Sequence, residues 1–134
     1  MVETFKLEIV TPDRQVVDDA AEELQMPGRK GYLGILPGHA PLITELAVGE
    51  ISYRHAGKIS YLAVAWGFAE VLPDRVIILA ETAERAEEID VTRAQQAVDR
   101  AQSLLKKQDP DLDFRRAQVA LERALIRLQV AQKK

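Results

Sequence analysis

A chain of 134 residues is long enough for one good core plus an appendage and too short for two large domains. With 47% hydrophobic and 29% charged residues and a formal net charge of −3, the composition excludes a disordered or fibrous chain and is that of an ordinary soluble protein. Cysteine is absent, which rules out a disulfide framework and a thiolate metal site and fits a reducing compartment.

Phe5, Leu7 and Ile9 alternate with Lys6 and Glu8, the period of a half-buried strand, and Thr11-Pro12-Asp13-Arg14 reads as the turn that ends it. Further turn signals stand at Pro27-Gly28, Pro37-Gly38, Gly49, Ala56-Gly57 and Pro73-Asp74. They leave room for short strands at 4–10, 15–17, 22–26, 32–36, 41–46, 49–55, 58–65, 67–72 and 75–80. That number and spacing predict a β-sandwich or flattened barrel. The start Met1-Val2-Glu3-Thr4-Phe5-Lys6 lacks the apolar run of a signal peptide, and a stretch such as Val76-Ile77-Ile78-Leu79-Ala80 falls far short of the ~20 residues that span a bilayer. Membrane association is therefore expected only through a partner.

Near residue 85 the chain changes character. All 7 glycines and all prolines except Pro110 precede it, and an Ala/Arg-rich pattern follows. Ala94, Ala97, Val98, Ala101, Leu104 and Leu105 recur at helical spacing behind Asp90, a natural N-cap, and Pro110 marks a short turn. A second helix is predicted from the Asp113 cap, with Phe114, Ala117, Leu121, Ala124, Leu128 and Ala131 as the seam of an antiparallel hairpin or coiled coil. The expected division is a β module over residues 1–85 and a helical hairpin over 86–134. Charge divides at the same place: 8 basic and 13 acidic residues come before the boundary, 10 basic and 8 acidic after it. The end of the chain, with Arg115, Arg116, Arg123, Arg127, Lys133 and Lys134 against Asp113 and Glu122, suits an acidic partner or a polyphosphate.

Catalytic signatures are missing. No G-x-x-x-x-G-K-[ST] loop cradles phosphates, and the glycines between Gly28 and Gly38 belong to turns. His39 and His55 are the only histidines and read as loop residues, and no serine sits in a nucleophile elbow. The arginines are different. Arg93 and Arg100 lie on one face of the first helix, and Arg116, Arg123 and Arg127 on one face of the second. Such residues are ordinarily solvated surface, yet two facing helices could direct four guanidiniums at one polyanion. Asp90 could cap its helix and also accept from an adenine amino group.

Four segments together resemble the epsilon subunit of bacterial F-type ATP synthases: Val10-Thr11-Pro12-Asp13, Gly34-Ile35-Leu36-Pro37-Gly38-His39-Ala40-Pro41-Leu42, Gly67-Phe68-Ala69-Glu70-Val71 and Ala83-Glu84-Arg85-Ala86-Glu87-Glu88-Ile89-Asp90. The resemblance implies a sandwich of about ten strands followed by two helices. It also implies a non-catalytic subunit of the central stalk, peripheral on the cytoplasmic face of the cell membrane. The partners it implies are the gamma subunit, the rotor c-ring and the alpha/beta catalytic head, where an acidic segment of beta would meet the last helix. In that family the hairpin is a mobile inhibitor of ATP hydrolysis. A subset binds ATP with the hairpin folded down, through an Ile/Leu-Asp-x-x-Arg-Ala motif that Ile89-Asp90-Val91-Thr92-Arg93-Ala94 matches. By similarity Glu84, Ile89, Asp90 and Ala94 would surround the adenosine, and Arg93, Arg100, Arg123 and Arg127 would hold the phosphates. No tightly bound cofactor is implied, ATP being a regulatory ligand whose need for magnesium is open. A rival reading keeps the hairpin as a docking element without ATP binding. Autonomous nucleotide hydrolysis fits poorly without a phosphate loop, and the acidic β module with few aromatics speaks against nucleic acid.

Overall fold

The computed structural model describes residues 3–134, in the element order β1 (Phe5–Val10), β2 (Gln15–Ala21), β3 (Glu23–Gly28), β4 (Gly31–Ile35), β5 (Leu42–Leu46), β6 (Gly49–His55), β7 (Lys58–Leu72), β8 (Arg75–Arg85), a 3-10 turn (Ala86–Glu88), α1 (Val91–Lys106) and α2 (Phe114–Ala131). β1 shows why alternation governs the first half. Phe5, Leu7 and Ile9 are buried while Lys6 points to water, so one face of the strand meets the core. Leu7, Ile9, Leu24, Met26, Ile35, Ile51, Leu62 and Ile78 are all fully buried in one continuous core.

The strands pair in the order β2-β1-β8-β7-β5-β3-β4, and β6 joins β3 to β7, so the sheet folds back on itself as a sandwich. All pairings are antiparallel except β1 with β8. The β6–β7 hairpin closes at Ala56-Gly57 with φ of 52° and 78°, the left-handed pair that a two-residue turn between twisted strands requires.

The sandwich is as expected, but among the described residues its strands number eight and not about ten. Segments 58–65 and 67–72 are one strand, kinked at Trp66-Gly67. Up to Val64 its free edge pairs with β6, and from Gly67 it pairs with β5, so the kink is where β7 changes neighbours. Gly67 is required there: its φ is 122°, and an added Cβ would lie 1.9 Å from the carbonyl oxygen of Leu79. Pro27-Gly28 likewise ends β3 instead of making a turn, and the turn falls on Arg29-Lys30. β2 and β8 run past their expected ends, to Ala21 and Arg85.

The two helices start at the expected caps. Asp90 Oδ1 accepts from the Arg93 backbone N–H at 3.1 Å, and Asp113 Oδ1 accepts from that of Arg116 at 3.0 Å. Their shared interface is small-residue packing: Ala94, Val98 and Ala101 of α1 and Ala117 and Ala124 of α2 are buried. Phe114 departs from the expected seam, since 55% of it is exposed at the start of α2, just after the turn that joins the helices. The base of α2 rests on β6, β7 and the 3-10 turn, where Val130 and Ala131 join Ala63, Ala86 and Ile89 in a second, smaller core. No helix among the described residues is long and apolar enough to cross a membrane.

Candidate functional site

Where β8 leaves the sandwich, the chain turns through Ala86–Glu88 and enters α1, and α2 returns alongside. This corner encloses a cavity of about 710 Å³ lined by Glu84, Glu88, Ile89, Asp90, Arg93, Ala94, Gln96, Ala97, Arg100 and Arg127. Each lining side chain arrives by a separate local rule. Glu84 is set by the β8 register, opposite Ala63 of β7. Ile89 is buried in the small core and fixes the entry to the helix, while Asp90 caps it. Arg93, Gln96, Ala97 and Arg100 then follow at helical spacing on one face of α1.

Arg127 comes from α2 and donates through Nε to Glu84 Oε1 at 2.6 Å, with both side chains about one-third exposed. This contact ties α2 to the last strand of the sandwich. At the rim, Arg14 Nη2 lies 2.8 Å from Glu88 Oε2, and the Arg85 backbone N–H donates to Glu88 Oε1 at 3.2 Å. The bond from Arg14 holds the Glu88 carboxyl below the usual carboxylate range, and burial opposes the shift only in part. The cavity thus carries three carboxylates, Glu84, Glu88 and Asp90, against three guanidiniums, Arg93, Arg100 and Arg127. Donors and acceptors mix with the apolar faces of Ile89, Ala94 and Ala97, and the volume is that of a small-molecule site.

Seven of the eight residues expected at a nucleotide site line this cavity: Glu84, Ile89, Asp90, Arg93, Ala94, Arg100 and Arg127. Arg123 does not. Its guanidinium lies over the Trp66 ring, 5.4 Å from the centroid, in a narrow cleft that it shares with Val48, Ala65, Ile126 and Arg127. The expectation that Arg123 faces the same space as Arg93 and Arg100 therefore fails in this conformation, because one turn of α2 carries it past the corner onto β7. Sequence reasoning missed Gln96 and Ala97, which helical spacing from Arg93 could have supplied. It also missed Glu88, whose pairing with Arg14 joins distant parts of the chain and leaves no local signal.

The domain described as "ATP synthase, Delta/Epsilon chain, beta-sandwich domain" matches residues 4–86, and that described as "ATP synthase, Delta/Epsilon chain, long alpha-helix domain" matches residues 87–132. The chain belongs to this delta/epsilon family of ATP synthase chains. Its curated relatives narrow the assignment to the epsilon chains, non-catalytic stalk subunits of the F-type enzyme. The ATP synthase epsilon chain of Koribacter versatilis is 66% identical over 111 residues, covering 83% of this chain and 78% of that one. The epsilon chain of Geotalea daltonii is 51% identical over 134 residues, covering 99% and 97%. Among solved structures, a chain of the Euglena gracilis mitochondrial ATP synthase OSCP/F1/c-ring assembly aligns with a TM-score of 0.82 at 23% identity, over 96% of this chain and 81% of that one. A chain of the Tetrahymena thermophila mitochondrial ATP synthase central stalk/c-ring aligns with a TM-score of 0.60 at 14% identity, over 98% and 96%. At these identities the two structures speak for the fold.

Proposed function

We propose that this chain couples the rotor of a bacterial F-type ATP synthase to its catalytic head, and that its hairpin is a mobile inhibitor of ATP hydrolysis held down by ATP. The observation that carries the reading is the single cavity into which Glu84, Ile89, Asp90, Arg93, Ala94, Arg100 and Arg127 converge from β8, α1 and α2. Ile89 and Ala94 offer apolar surface to an adenine, Asp90 offers an acceptor for its amino group, and Arg93 and Arg100 offer donors to the phosphates. Arg127 reaches a phosphate only by giving up Glu84, which is then free to accept from a ribose hydroxyl. A charge-assisted hydrogen bond contributes ~1.5–3 kcal/mol, so two or three of them support micromolar to millimolar binding.

The ligand bridges α1, α2 and the end of β8, so it binds the folded-down hairpin and not an extended one. It shifts the balance by its differential affinity alone: a concentration of ~100 times the dissociation constant adds ~2.7 kcal/mol to the folded-down form. At low ATP the hairpin rises along the gamma subunit, and its basic last helix meets the acidic segment of beta in the alpha/beta head. The sandwich meanwhile contacts gamma and the c-ring, so the chain sits at the cytoplasmic face of the membrane. The charge difference between the two halves suits this division.

The test is calorimetric titration of the chain with ATP, with and without magnesium, beside the double variant Asp90→Ala/Arg93→Ala. One-site binding that the double variant abolishes is the expected result. Absence of heat up to several millimolar ATP would leave a coupling subunit whose hairpin docks without nucleotide.

A further inference from the structure

Trp66 is the chain's only tryptophan, and its backbone has φ of 50°, a left-handed conformation that a bulky residue rarely adopts. It sits at the kink where β7 passes from β6 to β5, its N–H donating to the Ala47 carbonyl at 3.3 Å. The indole faces α2, and the Arg123 guanidinium rests on it at 5.4 Å from the centroid. Among the described residues Arg123 has no carboxylate partner, whereas its neighbour one turn on, Arg127, is bonded to Glu84. Arg127 lines both the cleft around Arg123 and the large cavity, so the two spaces adjoin. One turn of α2 rises about 5.4 Å, a distance that an arginine side chain can cover by changing rotamers.

The charge balance of the cavity decides what Arg123 would do. Of the three guanidiniums there, Arg127 is engaged by Glu84, and Glu88 is taken by Arg14 at the rim, so among the described residues only Arg93 and Arg100 face the cavity without a salt bridge. The several charges of a polyphosphate call for another cation, and Arg123 is the adjacent cation with no carboxylate to leave. An indole face holds a guanidinium by its quadrupole, more weakly than an anion does through paired hydrogen bonds. Trp66 therefore keeps Arg123 ordered beside the cavity yet yields it to a phosphate.

We propose that Trp66 is the resting seat of Arg123 and sets the affinity of the cavity for nucleoside triphosphate. Binding draws the guanidinium off the indole and onto the phosphates, so the lost cation–π contact is subtracted from every binding event. This rests on the ATP-sensing reading above. It adds to that reading a residue that lies outside the cavity, touches no ligand, and acts by positioning Arg123. The hairpin itself does not depend on this seat, because Val130, Ala131 and the Lys133–Glu50 pair hold its base.

The experiment uses the full chain and ATP, with calorimetry and tryptophan emission measured on the same samples. Trp66 emission should change on adding ATP with the calorimetric midpoint. Trp66→Gly, which removes the ring and suits the left-handed backbone, should bind ATP roughly two- to fivefold more tightly, the range of an exposed cation–π contact. Trp66→Phe should fall between, and Trp66→Gly should add nothing in an Arg123→Ala background. Emission indifferent to saturating ATP, or Trp66→Gly binding no tighter than the parent, overturns the proposal while leaving ATP sensing intact. If Trp66→Gly does not fold, Trp66→Phe and the emission titration decide. If the parent chain gives no ATP heat at all, the sensing reading falls, and the seat falls with it.

Discussion

The sandwich and the hairpin are built from different materials. The sandwich core packs long aliphatic side chains, with Leu7, Ile9, Leu24, Ile51, Leu62 and Ile78 all fully shielded. The hairpin buries chiefly alanine along its length, while Leu104, Phe114 and Leu125 remain partly in contact with solvent. Burial contributes ~0.8 kcal/mol per CH₂, so an alanine seam lets two helices approach closely without much stabilisation. Polar contacts at its base supplement it: Arg127 on Glu84 and Lys133 on Glu50. One region thus holds most of the buried aliphatic volume, and the other rests on it through a small core and a few polar contacts.

The largest effect that could break this contrast is in the sandwich. Ile78→Ala should lower global stability by ~2–5 kcal/mol in denaturant unfolding, since it opens a cavity between fully buried neighbours. A loss confined to the hairpin, seen as faster amide exchange there alone, would mean that the two regions are not the separate units their packing suggests. A smaller effect separates two aspartates with the same local job. Asp90→Ala and Asp113→Ala each remove an N-cap worth ~0.5–2 kcal/mol, and helix amide exchange should rise similarly in both. Only Asp90 lines the cavity, so only Asp90→Ala should weaken ATP binding beyond what the loosened helix explains. Equal ATP affinities in the two variants would reduce Asp90 to a cap.

Local chemistry made much of this legible in the sequence. Alternation located the strands, Ala56-Gly57 and Pro73-Asp74 located two hairpin turns, and Asp90 and Asp113 marked the helix starts within a residue. What failed depended on distant partners. Gly67 looks like a break between two strands, but its small size serves the approach of β8, visible only through Leu79. Asp18 and Asp19 interrupt the apolar pattern of β2, which continues because Asp19 finds Tyr53 and His55 on β6. Arg123 shares the face of α2 with Arg127, yet that face is divided between the cavity and Trp66, a partition no spacing rule contains.

The smallest predicted effect concerns the end of the chain. Lys133 Nζ lies 2.8 and 3.0 Å from the two carboxylate oxygens of Glu50 and 5.0 Å from the centroid of the Tyr61 ring, so it fastens the base of α2 to β6 and β7. The bond to Glu50 raises the Lys133 pKa above its ordinary value. A raised lysine stabilises the docked form fully below the unfolded value of ~10.4 and loses that contribution as pH climbs through the folded value. Lys133→Ala should therefore ease hairpin undocking by up to ~1 kcal/mol at pH 8, with solvent screening at this partly exposed site keeping the effect small. The gap between parent and variant should then close as the lysine deprotonates. At the opposite end of the scale, Glu88 has a lowered pKa, so its link to Arg14 is kept above the usual glutamate range and lost as pH falls through the folded value. Hairpin amide exchange compared between parent and Lys133→Ala across alkaline pH checks the first statement. A difference that persists once the lysine is neutral would assign Lys133 a packing role against Tyr61 in place of an ionic one.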